Sequence, residues 1–376
     1  MVVLTPKNRI YRTFMYQQTD RIPDQEFGTW PQTVRRWVAE GFPKDWADEI
    51  GDSMFHARFN EFIGVDNDEG GGYAPVFLGM NPVFQEEVLE EDEHTQIARG
   101  SDGVIAKRWK GGSDESSIPH YIEFPVKTPA DWAAMKERYR LDDPKRTVTV
   151  QQIADARTAA ADGWQVTGWA TGFYGALRSW CGTESLSYLF YDEPAMIADM
   201  LEHWTALMLH SLDQLPADVP VHSFHWWEDM AFNHGPLVSP RMFEEIMVPC
   251  YKAVMDKLRE HGCTLSSVDC DGNIHDLVPG WMSVGVNVMF PCEVAAGTDM
   301  FRLREDYGLD VRLQGGIDKV AIARGKDAID RELDRIAPLV RQGGFVPHLD
   351  HLVPPDISLA DYMYYREQKQ KLIGKL

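Results

Sequence analysis

TLSSVDCDGN (264–273), VNVMFPCE (286–293), VRLQGGID (311–318) and FVPHLDH (345–351) share one design: a short apolar run, then acids or histidines where the run stops. Short apolar runs punctuated by glycine and proline read as buried strands. Two more lie upstream, at 164–168 and 219–226. Helical spacing fills the gaps at 194–215, 239–262 and 327–342. The second of these opens with Ser239 as an N-cap and Pro240 at the first helical position, and it stops at Gly262. The third stops at Gly343-Gly344. Strand and helix in alternation predict βα units around a parallel sheet. No glycine-rich dinucleotide fingerprint follows any strand, which favours a closed (β/α)₈ TIM barrel over an open nucleotide-binding sheet.

The first 150 residues are less regular. Helices are expected at 31–40 and 129–140, a turn at Gly70-Gly71-Gly72, and an acidic hairpin region near 86–110. This part is expected to supply the remaining strands and an N-terminal helical and hairpin elaboration. Residues 151–376 carry the regular βα units, and 1–376 is expected to form a single domain.

Composition narrows the function. The 376 residues are 44% hydrophobic and 25% charged, enough for a substantial core, with a formal net charge of −21. A surface this acidic repels phosphate, so no nucleic-acid partner is expected. No apolar run reaches the length of a membrane span, and the N-terminus lacks the apolar stretch of a signal peptide, so a cytoplasmic location away from membranes is expected. Five cysteines without CxxC spacing indicate neither a disulfide framework nor a zinc knuckle.

In a barrel, the loops after the strands build the active site. Those loops deliver Glu228-Asp229, Asp271, Glu293, Asp318, and His348 with Asp350 and His351. Asp271, before Gly272-Asn273, is equally a turn residue; Glu228, Asp229 and Asp318 serve equally as caps or arginine partners. One of the two histidines is expected only to pack. Aromatic residues at strand ends could wall a cavity for a flat ligand, although such residues more often fill cores. Substrate contacts are expected from Glu26, Trp169, Phe173, Tyr174, His225, Trp226, Glu228, Asp269 and His348.

The chain resembles the uroporphyrinogen decarboxylase superfamily, which includes corrinoid-dependent methyltransferases. The resemblance is carried by Asp20-Arg21-Ile22-Pro23, GPLVSPRMFEEIMVPCYK (235–252), DCDGN (269–273), GVNVMFPCEV (285–294), QGGID (314–318) and GGFVPHLDHLVPPD (343–356). It implies a (β/α)₈ barrel. Decarboxylases of the superfamily hold substrate propionates with an Arg-Gln-Ala-Gly-Arg signature; this chain has EFGTWPQTVRRW (26–37) there. Methyltransferases using coenzyme M hold zinc with His-x-Cys-Gly and a later cysteine. Here these positions read Asp269-Cys270-Asp271-Gly272 and His351, so a metal, zinc included, would have to use oxygen and nitrogen donors from Asp271, Glu293 and His351. Cys270, one residue out of register, would point away.

The branch that remains moves a methyl group from a small donor to the cobalt of a separate corrinoid (cobalamin) protein. The resemblance implies an O-demethylating methyltransferase acting on a methoxylated aromatic compound, with His351, Asp271 and Glu293 as catalytic candidates. An aryl methyl ether leaves as a basic phenolate, so its oxygen needs a proton or a Lewis acid as the bond breaks. The chain has no Asp-x-His-x-x-Gly cobalamin signature, so the corrinoid would arrive on a partner protein. Relatives occur as monomers or homodimers. Two rivals stand beside this reading: a decarboxylase or lyase acting on a small aromatic or tetrapyrrole-like acid, and a binding protein without catalysis.

Overall fold

The computed structural model describes residues 4–66, 72–110 and 119–376. In chain order its strands are β1 (Gly72–Tyr73), β2 (Glu87–Glu91), β3 (Thr95–Arg99), β4 (Ile105–Trp109), β5 (His120–Glu123), β6 (Val166–Thr171), β7 (Ser223–Trp227), β8 (Ala231–Phe232), β9 (Gly235–Pro236), β10 (Leu265–Asp269), β11 (Val288–Phe290), β12 (Arg312–Ile317) and β13 (Phe345–Leu349). Seven of them form one parallel sheet in the order β1-β6-β7-β10-β11-β12-β13. The extended segment 24–29 lies alongside β13. Thr29 bridges Val353 in parallel, Glu26 accepts from the Leu349 amide, and Gln25 meets Gln314. This segment is the eighth stave of a TIM barrel, and helices cover the sheet's outer face.

Alternation along each strand sorts the side chains. On β10, Ser266 and Val268 face the helices, where the Trp226 indole donates to Ser266 Oγ. Leu265 and Ser267 face the axis, with Ser223, Thr167, Gln314 and Gln25 from neighbouring staves, around a cavity of about 260 Å³ at the amino ends of the strands. Helix Pro6–Phe14 floors it, Phe14 packing on Leu265, Val288 and Val346. The main core lies between strands and helices, where Trp226, Phe173 and Tyr251 are fully buried.

The other expectations need adjustment in places. The hairpin region forms a four-stranded antiparallel sheet, β2-β3-β4-β5, whose last strand lies beyond residue 110. Gly70 and Gly71 fall outside the described residues, while Gly72 opens β1. The helix expected at 239–262 is Pro240–Met242 and Val248–Glu260, joined by a π turn at Phe243–Met247. Pro249 lacks an amide donor, and the wider turn just before it accommodates the missing bond. Ser239 sits at the N-cap position without a side-chain capping bond. β6 starts and ends later than the expected 164–168, so Trp169 lies within the strand. Among the described residues, no helix is long and apolar enough to cross a membrane.

Candidate active site at the barrel mouth

Four loops at the carboxyl ends of the strands converge on one polar cluster. After β10 the chain turns through Gly272, whose φ is +90°. A Cβ there would lie 2.5 Å from the Phe232 amide nitrogen on the β8–β9 hairpin, so only glycine lets the loop press down. Thr298 Oγ1 donates to the Gly272 carbonyl at 2.8 Å and fixes the turn. Asp271 thereby points at the loop after β13, where its Oδ2 lies 3.3 Å from His351 Nε2. Its Oδ1 is buried without a hydrogen-bond partner. Trp30 stacks on the His351 imidazole at 5.8 Å, and Phe27 meets it edge-on at 5.7 Å. Burial alone would lower the histidine's pKa; the hydrogen bond and charge of Asp271 outweigh it, and the net shift is upward.

Glu293, from the loop after β11, is already engaged. Its Oε2 accepts from the Gly272 amide at 3.0 Å, and its Oε1 accepts from Lys319 Nζ at 2.9 Å. Lys319 comes from the loop after β12 and lies 3.6 Å from Asp350 Oδ1. Asp350 is fully buried and takes the amides of Val294 and Lys319. Its pKa is raised by burial, with Lys319 opposing. Glu293 and Lys319 therefore clamp the Asp271 turn from below.

Three carboxylates form a second group: Asp229, Asp269 and Asp271 bring oxygens within 4.8 Å of one another. Asp229 adopts a left-handed φ of 50° and pairs with Arg178 at 3.0 Å. Burial, then the charges of Asp271 and Asp229, push the Asp269 pKa well up. Below the mouth, His225 Nδ1 lies 2.7 Å from Ser267 Oγ and His348 Nδ1 lies 2.6 Å from the Leu349 carbonyl. Burial pushes both imidazoles down to about 4, so both are neutral at pH 7.

A family model for uroporphyrinogen decarboxylase (URO-D) matches residues 113–368, which include every strand-end loop of this cluster. The chain belongs to the uroporphyrinogen decarboxylase family. Among solved structures, a methyltransferase from Methanosarcina mazei superposes with a TM-score of 0.56 at 12% identity, covering 97% of this chain and 99% of that one. At this identity the likeness is one of fold. A B12-independent methionine synthase from Shewanella sp. W3-18-1, in complex with selenomethionine, matches at 14% identity over 60% of this chain and 68% of that chain, with a TM-score of 0.37. No curated protein matches the chain.

Within this URO-D family barrel, the residues read from sequence divide into two sets. His351, Asp271, Glu293, Asp269, His225 and His348 stand at or just below the mouth. Trp169 faces the same interior beside His225 and is 57% exposed. The other set lies outside the barrel wall. Phe173, Tyr174 and Trp226 have no exposed surface, because they belong to the layer between strands and helices. Glu228 is also fully buried: it accepts the Phe173 and Gly175 amides at 2.8 and 2.7 Å and the Tyr251 hydroxyl, capping helix Phe173–Cys181. Burial pushes its carboxyl up to about 8 against these donors. Glu26 turns outward to Arg366, Lys369 and Tyr365. The metal trio Asp271, Glu293 and His351 is split by Lys319, since an ammonium already occupies the lone pairs that Glu293 would offer a cation. Cys270 does point away, toward the Met230 amide.

Sequence reading missed Trp30, Phe27, Phe290 and Lys319. Phe290 meets Phe27 at 4.7 Å and tilts against His348. One signal was available: Gly28, beside Phe27, has φ +137° and a would-be Cβ 2.5 Å from the Met54 carbonyl, so this glycine marks a tight backbone approach.

Proposed function

We propose that this barrel is a corrinoid-dependent methyltransferase component that removes the methyl group of a methoxylated aromatic compound. The observation that carries the reading is the His351–Asp271 pair, set under the Trp30 indole in an open barrel mouth. Family membership and the fold likeness to a methyltransferase are consistent with it. A corrinoid on a partner protein supplies the cobalt(I) nucleophile. This chain's own residues do the rest. The ring lies against Trp30 and Phe27, which exclude water. Protonated His351 donates to the ether oxygen, so the leaving group departs as a phenol. Asp271 holds the imidazole in orientation and stabilises its charged form. Lys319 and Glu293 hold the turn that carries Asp271.

A zinc ion, if loaded, would take its donors from Asp229, Asp269 and Asp271, whose oxygens gather within 4.8 Å, and would supply a Lewis acid beside His351. The orphaned Asp271 Oδ1 is compatible with that role, whereas Glu293 is not. The test is a cobalt(I) corrinoid assay with a panel of methoxylated aromatics, together with metal analysis of protein purified without chelator. Conversion to the methylated corrinoid supports the proposal. Release of CO₂ from aromatic acids without corrinoid turnover would instead favour a decarboxylase.

A further inference from the structure

At the end of the barrel opposite the mouth, the lumen lacks the side chains of a packed core. Barrel interiors are ordinarily filled by layers of branched aliphatic residues. Here five staves send in Gln25, Thr167, Ser223, Ser267 and Gln314, around the cavity of about 260 Å³ that lies against helix Pro6–Phe14. These polar groups do little for one another. Gln314 Nε2 donates to Gln25 Oε1 at a long 3.3 Å, and Ser267 Oγ lies 2.7 Å from His225 Nδ1. Among the described residues, the Thr167 and Ser223 hydroxyls, Gln25 Nε2 and Gln314 Oε1 make no hydrogen bond. Hydroxyls and amides inside a barrel are costly unless something in the space answers them.

The cavity is open and nearly uncharged. Tyr73 lines it and is 73% exposed, so it gives onto solvent past this ring. Its volume suits a small molecule rather than a single water. Among the described residues no carboxylate lines it, and the one charged group that does, Lys7, sits 4.5 Å from the centre of the Tyr73 ring. Leu265 and Val288 supply an apolar patch beside the hydroxyls.

We propose that this cavity is a second binding site, for an uncharged polyol of about monosaccharide size, separate from the mouth. Each hydroxyl of a polyol gives one hydrogen bond and takes another, which matches the open donor of Gln25 beside the open acceptor of Gln314. Thr167 and Ser223 serve further hydroxyls, and the ligand's C–H face rests on the apolar patch or the Tyr73 ring. A cation would meet Lys7 with no carboxylate to hold it, and an anion would find a single ammonium already seated on an aromatic face.

Saturation-transfer NMR on the full chain tests the proposal with three probes: myo-inositol, D-glucose and D-gluconate. At least one of the two neutral polyols is expected to bind, and gluconate more weakly than it. Ser223→Leu puts a larger side chain into the cavity and is expected to abolish the transfer. Thr167→Val keeps the shape without the hydroxyl and is expected to weaken binding about three- to tenfold, with a melting temperature near wild type as proof of an intact fold. Transfer to neither neutral polyol, gluconate binding more tightly than both, or binding that both variants leave unchanged overturns the proposal.

Discussion

In the proposed mechanism the chemistry falls to His351, because two residues from other parts of the chain fix its state: Asp271 raises its proton affinity and Trp30 covers its face. Replacing His351 with Gln is predicted to slow methyl transfer by about 10²–10⁴-fold, the usual range for loss of a general acid, with ring affinity little changed in titration. The pair also links to stability. A histidine whose folded pKa is raised stabilises the fold fully below its unfolded value of about 6.5, and that contribution is lost as pH rises through the folded value. Urea midpoints of wild type and His351→Gln are therefore expected to differ more at pH 5.5 than at pH 9. At this scale the sequence was partly legible. His351, Asp271 and Glu293 stood out because acids and histidines followed apolar runs. Lys319 did not, since a lysine after an aspartate looks like any helix start. Trp226 and Glu228 were misplaced because alternation within β7, and a helix N-terminus seeking a cap, turned them away from the axis.

Elements hold the mouth in place from outside. Helix Leu359–Leu372 presents Arg366 to Asp24 through two bonds of 2.8 and 2.7 Å and to Glu26 at 2.8 Å, with Lys369 at 2.6 Å from Glu26. All four side chains are essentially buried. This network anchors the eighth stave, so Phe27 and Trp30 owe their positions to a helix at the far end of the chain. Arg366→Ala leaves Asp24 and Glu26 short of a partner and is predicted to destabilise the protein by about 3–5 kcal/mol, measured by urea denaturation. Glu228→Ala removes the cap of helix Phe173–Cys181 and is predicted to cost about 1–3 kcal/mol while leaving the binding of methoxylated aromatics unchanged. Strand existence was readable from apolar runs, but boundaries were not: β6 runs on to Thr171, and β12 runs on through Gly315 and Gly316, whose backbones press on Pro291 and Met300 where no side chain would fit.

The whole molecule is a barrel whose regular half announces itself and whose eighth stave, early in the chain, is disguised. Segment 24–29 contains Asp, Gln, Glu and Gly, so no apolar run marks it; tertiary ion pairs make it part of the wall. The same dependence sets the acid limit of the fold. Arg9 holds the Asp20 carboxyl down to about 2, chiefly through its hydrogen bond, while burial opposes. A depressed carboxyl stabilises the fold above its unfolded pKa, and that stability is lost as pH falls through the folded value. The protein is therefore predicted to lose stability progressively between about pH 4 and 2, followed by circular dichroism, with Arg9→Met flattening the dependence over that window. The central claim, that the His351–Asp271 pair activates an aryl methyl ether, is tested most directly by the pH profile of corrinoid methylation in wild type and Asp271→Asn. The account predicts a wild-type rate that falls as pH rises through the elevated His351 pKa, and a midpoint at lower pH in Asp271→Asn. Equal midpoints in the two proteins, or rates independent of pH, would contradict it.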